Sequence, residues 1–285
     1  MKMSSIATLF AAMILGGSAI AAPQGESTMP LSNREKAVAL LNAIETGDQH
    51  AVGYINAQSY TQHNLAVADG LAGFTALLAQ LPPGSARVNV VRAFEDGDFV
   101  FTHTDYDFFG PEVGFDLFRF ENGKIVEHWD NLAQKTAPNP SGRTQLDGPT
   151  AATSLELTAA NKALVAQFVE QVLVQGHYDQ LDQFIEGENY HQHNSMIADG
   201  LSGLANAIEA MQAQGVTMSY SKVHKVLGEG NFVLTISEGD FAGKPTSYYD
   251  LFRVEENKIV EHWDVIEQIP PSSEWKNANG KFGNL

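Results

Sequence analysis

Apolar residues near the start of the chain recur with helical spacing. They recur every three to four positions over residues 37–44, which predicts a helix. Ser32 and Glu35 precede this run with the spacing of a capping box, so the helix is expected to begin there. Two shorter helical stretches are predicted at residues 51–55 and 74–78.

A strand-like alternation of apolar and polar residues follows these helices. Glu95-Asp96-Gly97-Asp98 and Asn122-Gly123 are typical turn sequences that divide it. The predicted strands are residues 88–94, 99–107, 114–120 and 124–132. Helices followed by a curved antiparallel sheet make an α+β domain.

The second half of the chain repeats the first. Three blocks recur: Tyr60-Thr61-Gln62-His63-Asn64 as Tyr190-His191-Gln192-His193-Asn194, Asp116-Leu117-Phe118-Arg119 as Asp250-Leu251-Phe252-Arg253, and Lys124–Asp130 unchanged as Lys258–Asp264. The distance along the chain between the two copies is the length of a whole domain rather than that of a solenoid unit of about 20–50 residues. In the second copy, Thr158 is the expected N-cap of the first helix. Helices are predicted at residues 164–173, 178–185 and 204–211, and strands at residues 220–227, 232–238, 247–254 and 258–266.

Composition completes the predicted domain organisation. Pro, Gly, Ser, Thr and Asn are enriched between the two copies, which is typical of a linker. The predicted segments are a signal peptide (1–21), a leader (22–31), domain 1 (32–136), a linker (137–153), domain 2 (154–270) and a polar tail (271–285).

The first residues have the three parts of a secretory signal peptide. Lys2 precedes an apolar run at residues 6–15, and Ala19-Ile20-Ala21 is a small-residue cleavage signal. The alternative is a membrane anchor, for which the run is short. The protein is therefore expected to be periplasmic or secreted, with cleavage near Ala21 and no membrane association afterwards.

Charge and cysteine content narrow the possible functions. The chain has no Cys, which excludes disulfides, thiolate nucleophiles and thiolate metal sites. Lys and Arg number 17 against 34 Asp and Glu, a formal net charge of −17. Because such a surface repels nucleic acid and anionic lipid, we expect no nucleic-acid partner. A small hydrophobic molecule is the expected partner.

The hairpin around Asn122-Gly123 carries the first candidate site. A regular two-residue turn would pair Arg119 with Val126 and place Arg119, His128 and Asp130 on one face. An imidazole beside a carboxylate can act as an acid or base near neutral pH, although such a pair can also merely hold a sheet together. A bulge would exchange the two faces. The second copy offers Arg253, His262 and Asp264.

Two further histidines, His63 and His193, follow the second helical stretch of each copy. Each could face the hairpin histidine, His128 or His262, as a second acid or base. The alternative is that each only fixes the local turn by a hydrogen bond.

One strand differs between the copies in a way that matters for chemistry. Asp105 aligns with Glu238, but His103 aligns with Ile236. Only the first copy could therefore gather His63, His103, Asp105 and His128, which makes it the better candidate for catalysis. Three imidazoles and a carboxylate could bind zinc, as could His191 with His193, but no tight ligand motif is present.

These motifs resemble the SnoaL-like family of the nuclear transport factor 2-like superfamily. The resemblance rests on the Gln-His-Asn block, the Asp-Gly pair after it and the closing hairpin, and it covers nearly all of both halves. It implies cone-shaped domains in which a bent sheet wraps around helices and encloses a pocket. It also implies pairing through the outer sheet faces, either within one chain or in a homodimer.

The resemblance implies several possible functions, because the superfamily includes polyketide cyclases, ketosteroid isomerases, dehydratases, epoxide hydrolases and binding domains. The expected activity is acid–base catalysis on a small apolar carbonyl compound, without cofactor or metal. His128 with Asp130 would be the base, and His63 or His103 the donor. The residues expected to contact the ligand are Tyr60, Arg119, Tyr190 and Arg253. The alternatives are a non-catalytic binding module for a small hydrophobic ligand, and an interaction role through the sheet faces.

Overall fold

Two five-stranded sheets, one in each repeat, organise the fold. The computed structural model describes residues 30–82 and 84–285. The predicted signal peptide and nearly all of the predicted leader lie outside the described residues. Among the helices of the described part, none is both long and apolar enough to cross a membrane.

The first repeat places its helices before its four long strands, as predicted. Its elements are α1 (Asn33–Thr46), α2 (Gln49–Val52), β1 (Thr61–Gln62), α3 (Gly70–Leu78), β2 (Arg87–Asp96), β3 (Phe99–Asp107), β4 (Pro111–Glu121) and β5 (Lys124–Gln134). The strand order is β1-β5-β4-β3-β2, with β1 parallel to β5 and the other pairs antiparallel. Ser32 and Glu35 form the predicted capping box at the start of α1.

The second repeat has the same sheet order, β6-β10-β9-β8-β7. Its elements are α4 (Thr158–Phe168, continued by a π-helical turn over Val169–Val174), α5 (Leu181–Phe184), β6 (His191–Gln192), α6 (Gly200–Ala213), β7 (Met218–Glu229), β8 (Phe232–Phe241), β9 (Lys244–Glu255) and β10 (Lys258–Gln268). The cap of α4 is Leu157, so the predicted cap at Thr158 is wrong by one residue. The Thr158 hydroxyl instead donates to Leu155 O and accepts from the Gly230 N–H. The predicted α+β fold class is confirmed.

Each sheet has an inner face against its own helices and an outer face against the other sheet. On the inner side, Leu40, Phe118 and Ile125 share one buried core, and Phe168, Phe184 and Phe252 share another. The outer faces form a third core, whose large members are Phe115, Trp129, Phe232, Tyr249 and Trp263. Burying such side chains stabilises the fold by about 1.5–3 kcal/mol each.

The segment after each sheet crosses to the opposite repeat. We call residues 139–148 the first strap and residues 275–285 the second strap. Asn139 of the first strap donates through Nδ2 to Gln192 O and Ile197 O, at 2.6 and 2.9 Å. Asn277 of the second strap donates in the same way to Asn64 O and Val67 O. Each repeat is therefore covered by the segment that follows the other.

Candidate active site

A β-bulge beside the β4–β5 turn decides which side chains share a face. Asn122 and Gly123 form the predicted two-residue turn, with φ of 50° and 71°. Beyond the turn the ladder shifts, so that Arg119 pairs with Glu127 and Val126 is the extra residue. The same shift occurs between Ile259 and Glu261 in the second repeat.

The bulge exchanges the predicted faces. His128 pairs with Phe118, and Asp130 pairs with Asp116, so these four side chains lie on the inner face. Arg119 lies on the outer face with Glu127. The prediction that Arg119 shares a face with His128 and Asp130 is wrong, and so is its counterpart for Arg253, His262 and Asp264.

A cluster of Asp116, His128 and Asp130 forms the inner site of the first repeat. His128 Nε2 lies 3.2 Å from Asp116 Oδ1, and His128 Nδ1 lies 2.9 Å from Gln62 Oε1. The Asn64 backbone N–H also donates to Gln62 Oε1, at 2.9 Å, which identifies that atom as the amide oxygen. Both ring nitrogens of His128 therefore face oxygen acceptors.

This geometry requires one proton to be shared between His128 and Asp116. Nδ1 must carry a hydrogen, since Gln62 Oε1 can only accept. The second contact then joins either an imidazolium to a carboxylate or a neutral imidazole to a carboxylic acid. A pair with two such states can pass the shared proton from one residue to the other.

The two carboxylates of this cluster have different partners. Asp116 Oδ2 accepts from the Tyr106 hydroxyl at 2.8 Å. Burial, and then the charge of Asp116, raise the pKa of Tyr106 well above its usual value, so the phenol stays protonated. Asp130 Oδ2 accepts from Asn64 Nδ2 at 2.7 Å, whereas its buried Oδ1 has no hydrogen-bond partner. That oxygen is available to a proton or a ligand.

The second strap brings a lysine to this carboxylate. Lys281 Nζ lies 4.0 Å from Asp130 Oδ1 and 2.9 Å from Glu267 Oε2. Its side chain is only 3% exposed. A buried ammonium therefore lies beside Asp130.

The second repeat contains the same cluster with Asp250, His262 and Asp264. His262 Nε2 lies 3.0 Å from Asp250 Oδ1, and Nδ1 lies 3.0 Å from Gln192 Oε1. Burial acts to lower the pKa of His262, but the hydrogen bond to Asp250 and the charge of Asp264 raise it above its usual value. Asp264 accepts from Asn194 at 2.7 Å, and burial raises its pKa.

A tyrosine hydroxyl bonds the central carboxylate in both repeats, but from different strands. Tyr106 lies on β3, and the aligned residue on β8 is Gly239. In the second repeat Tyr220 on β7 donates to Asp250 instead, at 3.2 Å. Both repeats therefore have a hydrogen bond from a tyrosine hydroxyl to the central carboxylate, although the two tyrosines lie at different positions in the sheet.

Tyr60 and Tyr190, which were predicted to contact a ligand, are buried beside these clusters. The Tyr60 hydroxyl accepts from Gln62 Nε2 at 3.1 Å, and Tyr190 accepts from Gln192 at 3.4 Å. Burial, and then the charges of Asp130 and Asp116, raise the pKa of Tyr60 far above its usual value. Its hydroxyl therefore keeps a proton to donate.

His63 lies on the outer face rather than opposite His128. Its ring stacks on Trp129 with a centroid distance of 4.8 Å. Nδ1 donates to Gly280 O of the second strap at 2.7 Å, and Nε2 donates to Glu127 Oε1 at 2.9 Å. Both bonds require an imidazolium, because a carbonyl and a carboxylate can only accept. The prediction that His63 faces His128 as a second acid or base is wrong.

Glu127 links this imidazolium to Arg119. Its Oε2 accepts from Arg119 Nε at 2.7 Å, and Asn284 Nδ2 donates to Oε1. Burial opposes ionisation, but hydrogen bonds from Asn284, His63 and Arg119 lower the pKa of Glu127. Arg119 thus belongs to the strap contact, and the structure gives it no contact with the inner cluster.

The outer face of the second repeat has the same arrangement. His193 stacks on Trp263 at 4.6 Å and donates to Glu261 Oε1 and to Thr144 O of the first strap, at 2.8 and 2.7 Å. Arg253 donates to Glu261 Oε2 at 2.6 Å. His193 and Arg253 therefore also lie on the outer face, away from the inner cluster that contains His262.

His103 is buried between the two sheets. Arg92 Nη1 donates to His103 Nδ1 at 2.6 Å. Burial, and then the charge of Arg92, lower the pKa of His103 well below its usual value, so the ring is neutral. The predicted grouping of His63, His103, Asp105 and His128 is wrong, because strand alternation leaves only His128 on the inner face.

The remaining predicted carboxylates contact basic side chains away from both inner clusters. Asp105 pairs with Lys135 at 2.7 Å. Glu238 pairs with His224 at 3.3 Å. His224 in turn stacks on Phe282 of the second strap at 4.3 Å.

The sequence prediction missed several members of the site. Asp116 and Asp250 stand in the repeated Asp-Leu-Phe-Arg motif, and Gln62 and Gln192 in the repeated Gln-His-Asn block. The presence of these residues in both copies could have identified them as members of the site. A further repeat was also overlooked, since Asn139-Pro140-Ser141-Gly142-Arg143 resembles Asn277-Ala278-Asn279-Gly280-Lys281.

A surface cleft of about 500 Å³ lies elsewhere in the first repeat, between the end of α1 and α3. Its apolar lining includes Ile44, Val52, Leu78 and Leu81. None of the three residues of the inner cluster lines it. His128 is the most exposed member of the cluster, although only 10% of its side chain is accessible to solvent.

Comparison with known proteins agrees with this fold. The family model of the SnoaL-like domain matches residues 37–128. No curated protein shows a significant match to the chain.

Several solved structures are similar to parts of the chain. An NTF2-like protein of unknown function from Cytophaga hutchinsonii is 17% identical, covering 37% of this chain and 93% of its own, with a TM-score of 0.33. An NTF-2 like protein of unknown function from Burkholderia xenovorans is 21% identical, covering 42% and 95%, with a TM-score of 0.34. IdmH from Streptomyces antibioticus, assigned provisionally as a polyketide cyclase, is 18% identical, covering 36% and 92%, with a TM-score of 0.31. The first repeat is a SnoaL-like domain, and the second repeat has the same strand order.

Proposed function

We propose that the first repeat is a catalyst of acid–base chemistry on a small apolar carbonyl compound. One observation carries the proposal: both ring nitrogens of His128 face acceptors, so this residue shares a proton with Asp116, while Asp130 keeps a free oxygen beside them. A base and an acid are thus held within one cluster.

The roles follow from the partners of each group. Asp130 Oδ1 has no hydrogen bond, so it would remove a proton from the carbon beside the carbonyl. Lys281 Nζ lies 4.0 Å from this oxygen, where an ammonium can bond the carboxylate after the proton has moved on. Tyr60 would donate to the enolate oxygen that develops, and His128 Nε2–H would also donate to it once its bond to Asp116 opens. Returning the proton to another carbon gives isomerisation, and attack of the enolate on a second carbonyl gives aldol cyclisation.

The surroundings of the cluster suit an apolar substrate. Phe118 stacks on His128 at 4.8 Å, and both Asp116 and Asp130 are buried. Hydrogen bonds in such a site are stronger than in water because the local dielectric is low. His128 is the most exposed residue of the cluster, so a substrate would touch it first.

The test measures proton abstraction directly. The full chain, with chelator present, is incubated in D₂O with a panel of cyclic and linear ketones, and deuterium uptake beside the carbonyl is followed by NMR. We expect Asp130→Asn to lower the rate about 10²–10⁴-fold. Asp98→Asn makes the same change in an exposed turn and should leave the rate unchanged. Equal rates for wild type and Asp130→Asn with every exchanging ketone would refute the proposal.

A second candidate function is the capture of a small hydrophobic ligand in the cleft of about 500 Å³, whose apolar lining favours it. Native mass spectrometry of the purified protein would detect a retained molecule. Loss of that molecule in Leu78→Gln but not in His128→Gln would support binding in the cleft. The opposite pattern would place the ligand at the inner cluster.

We also propose that the protein is exported, as the pattern of residues 1–21 indicates. N-terminal sequencing of protein expressed from the full reading frame tests this. A mature chain that begins near residue 22 supports export, whereas an intact Met1 in the periplasmic and secreted fractions contradicts cleavage.

A further inference from the structure

We propose that Asp250, His262 and Asp264 of the second repeat bind a divalent metal ion, in a site separate from the catalytic cluster of the first repeat. One nitrogen and two carboxylate oxygens of these residues lie within 4.8 Å of one another. His262 Nε2 and Asp250 Oδ1 are 3.0 Å apart. In a tetrahedral zinc site with bonds of about 2.0 Å, neighbouring ligand atoms lie about 3.3 Å apart, so this pair is already close to the required spacing.

The ring of His262 is held in the orientation that a metal ligand needs. The backbone N–H groups of His193 and Asn194 donate to Gln192 Oε1, which is therefore the amide oxygen. His262 Nδ1 must then carry the hydrogen that bonds this oxygen, at 3.0 Å. In the neutral ring the lone pair is consequently on Nε2, which faces the carboxylates. Histidines that bind metals usually donate their other N–H to an acceptor in this way.

A buried hydroxyl beside Asp250 has no partner. Thr235 pairs with Asp250 across β8 and β9 and lies on the same inner face. Its Oγ1 is fully buried and makes no hydrogen bond. The aligned residue in the first repeat, Thr102, points at the corresponding carboxylate, with Oγ1 3.4 Å from Asp116 Oδ2. Buried hydroxyls are rarely left unsatisfied, and a water in the open coordination position would give Thr235 a partner.

The distribution of cations distinguishes this cluster from its counterpart. In the first repeat, Lys281 of the second strap places an ammonium 4.0 Å from Asp130 Oδ1, which would repel a metal ion. Arg143 holds the matching position in the first strap, but it pairs with Asp199 at 2.8 Å. Among the described lysines and arginines, none forms an ion pair with Asp264. This carboxylate is also partly exposed, which leaves an entry path, whereas Asp130 is buried.

The ligand set indicates the class of metal. One imidazole and two carboxylates, with a fourth position for water, suit Zn²⁺ and related first-row ions such as Co²⁺. The second strap therefore decides which repeat can take a metal ion, since it supplies an ammonium to one cluster only.

The test counts metal ions on the full chain. Protein is first treated with chelator, which is then removed, and Zn²⁺ is titrated in by calorimetry, with Co²⁺ absorption as a direct report of coordination geometry. We expect one ion per chain in wild type and at least a tenfold loss of affinity in Asp264→Asn. The matched change in the first repeat, Asp130→Asn, should leave this one ion in place. Lys281→Met should add a second ion, because it removes the ammonium beside Asp130.

Several outcomes would overturn the site. These are no binding of Zn²⁺ or Co²⁺ by wild type, equal affinity of wild type and Asp264→Asn, or binding that is lost when the partly exposed His191 is changed to Ala. Circular dichroism of each variant shows whether it is folded, and His262→Gln provides an independent loss of a ligand. Deuterium exchange into ketones is measured with chelator present, so failure of the metal site and failure of the proposed catalysis are distinguishable.

Discussion

The contact of His63 with the second strap gives a prediction that can be worked out in energy. His63→Phe keeps a ring over Trp129 but removes the donors to Gly280 O and Glu127. Hydrogen bonds that involve a charged group contribute about 1.5–3 kcal/mol each. Glu127 retains Arg119 as a donor, so no buried charge is left unpaired. Only the bond to Gly280 O joins His63 to the strap, so we expect local opening of the second strap to become easier by about 2 kcal/mol.

Amide hydrogen exchange measures this local opening. The Lys276 N–H donates to Leu65 O at 2.8 Å, so its exchange reports release of the strap. A change of about 2 kcal/mol corresponds to exchange that is faster by roughly 30-fold, if the strap opens without global unfolding. His193→Phe is the matched control, because it should accelerate exchange in the first strap at residues 139–148 and leave Lys276 slow. Unchanged exchange at Lys276 in His63→Phe, or equal acceleration of both straps in either variant, would refute the reasoning.

Two further predictions concern buried histidines and are measured by urea unfolding in the presence of chelator. The pKa of His262 is raised above 6.5 in the folded protein, so its contribution to stability is present below pH 6.5 and is lost as the pH rises through the folded pKa. The difference in free energy of unfolding between wild type and His262→Gln should therefore shrink from pH 6 to pH 9. A constant difference would contradict this prediction. The pKa of His103 is lowered, so wild type should lose stability as the pH falls below 6.5, since the unfolded ring takes up a proton first. His103→Ile introduces the residue that the second repeat has at the aligned position, Ile236, and leaves Arg92 bonded to three carbonyls. The loss of stability at acid pH should therefore be smaller in this variant than in wild type. An identical pH dependence of the two proteins would count against a neutral His103.

The inner site shows how a duplication can preserve chemistry while its residues move. Alignment of the copies pairs Tyr106 with Gly239, which suggests that the hydroxyl is absent from the second repeat. Tyr220 nevertheless bonds Asp250 from the neighbouring strand. The inner sites of the two repeats differ instead in their contacts with the straps. Lys281 lies beside Asp130, whereas Arg143 forms an ion pair with Asp199.

The sequence by itself determined the duplication, the α+β class, the capping box at Ser32 and the hairpin turn at Asn122-Gly123. These features depend on residues that are close in the chain, so spacing and turn chemistry are enough to reveal them. The Asp and His residues of the inner cluster could also be identified as candidates from the sequence, because their motifs occur in both copies.

Only the tertiary structure decided which of these residues share a site. One extra residue in the ladder, Val126, moved His128 and Asp130 to the inner face and left Arg119 outside, because side chains alternate with a period of two. The straps join residues that are far apart in the chain, such as His63 with Gly280, and no local pattern encodes such contacts. Register and long-range packing, rather than local preference, therefore set the chemistry of this protein.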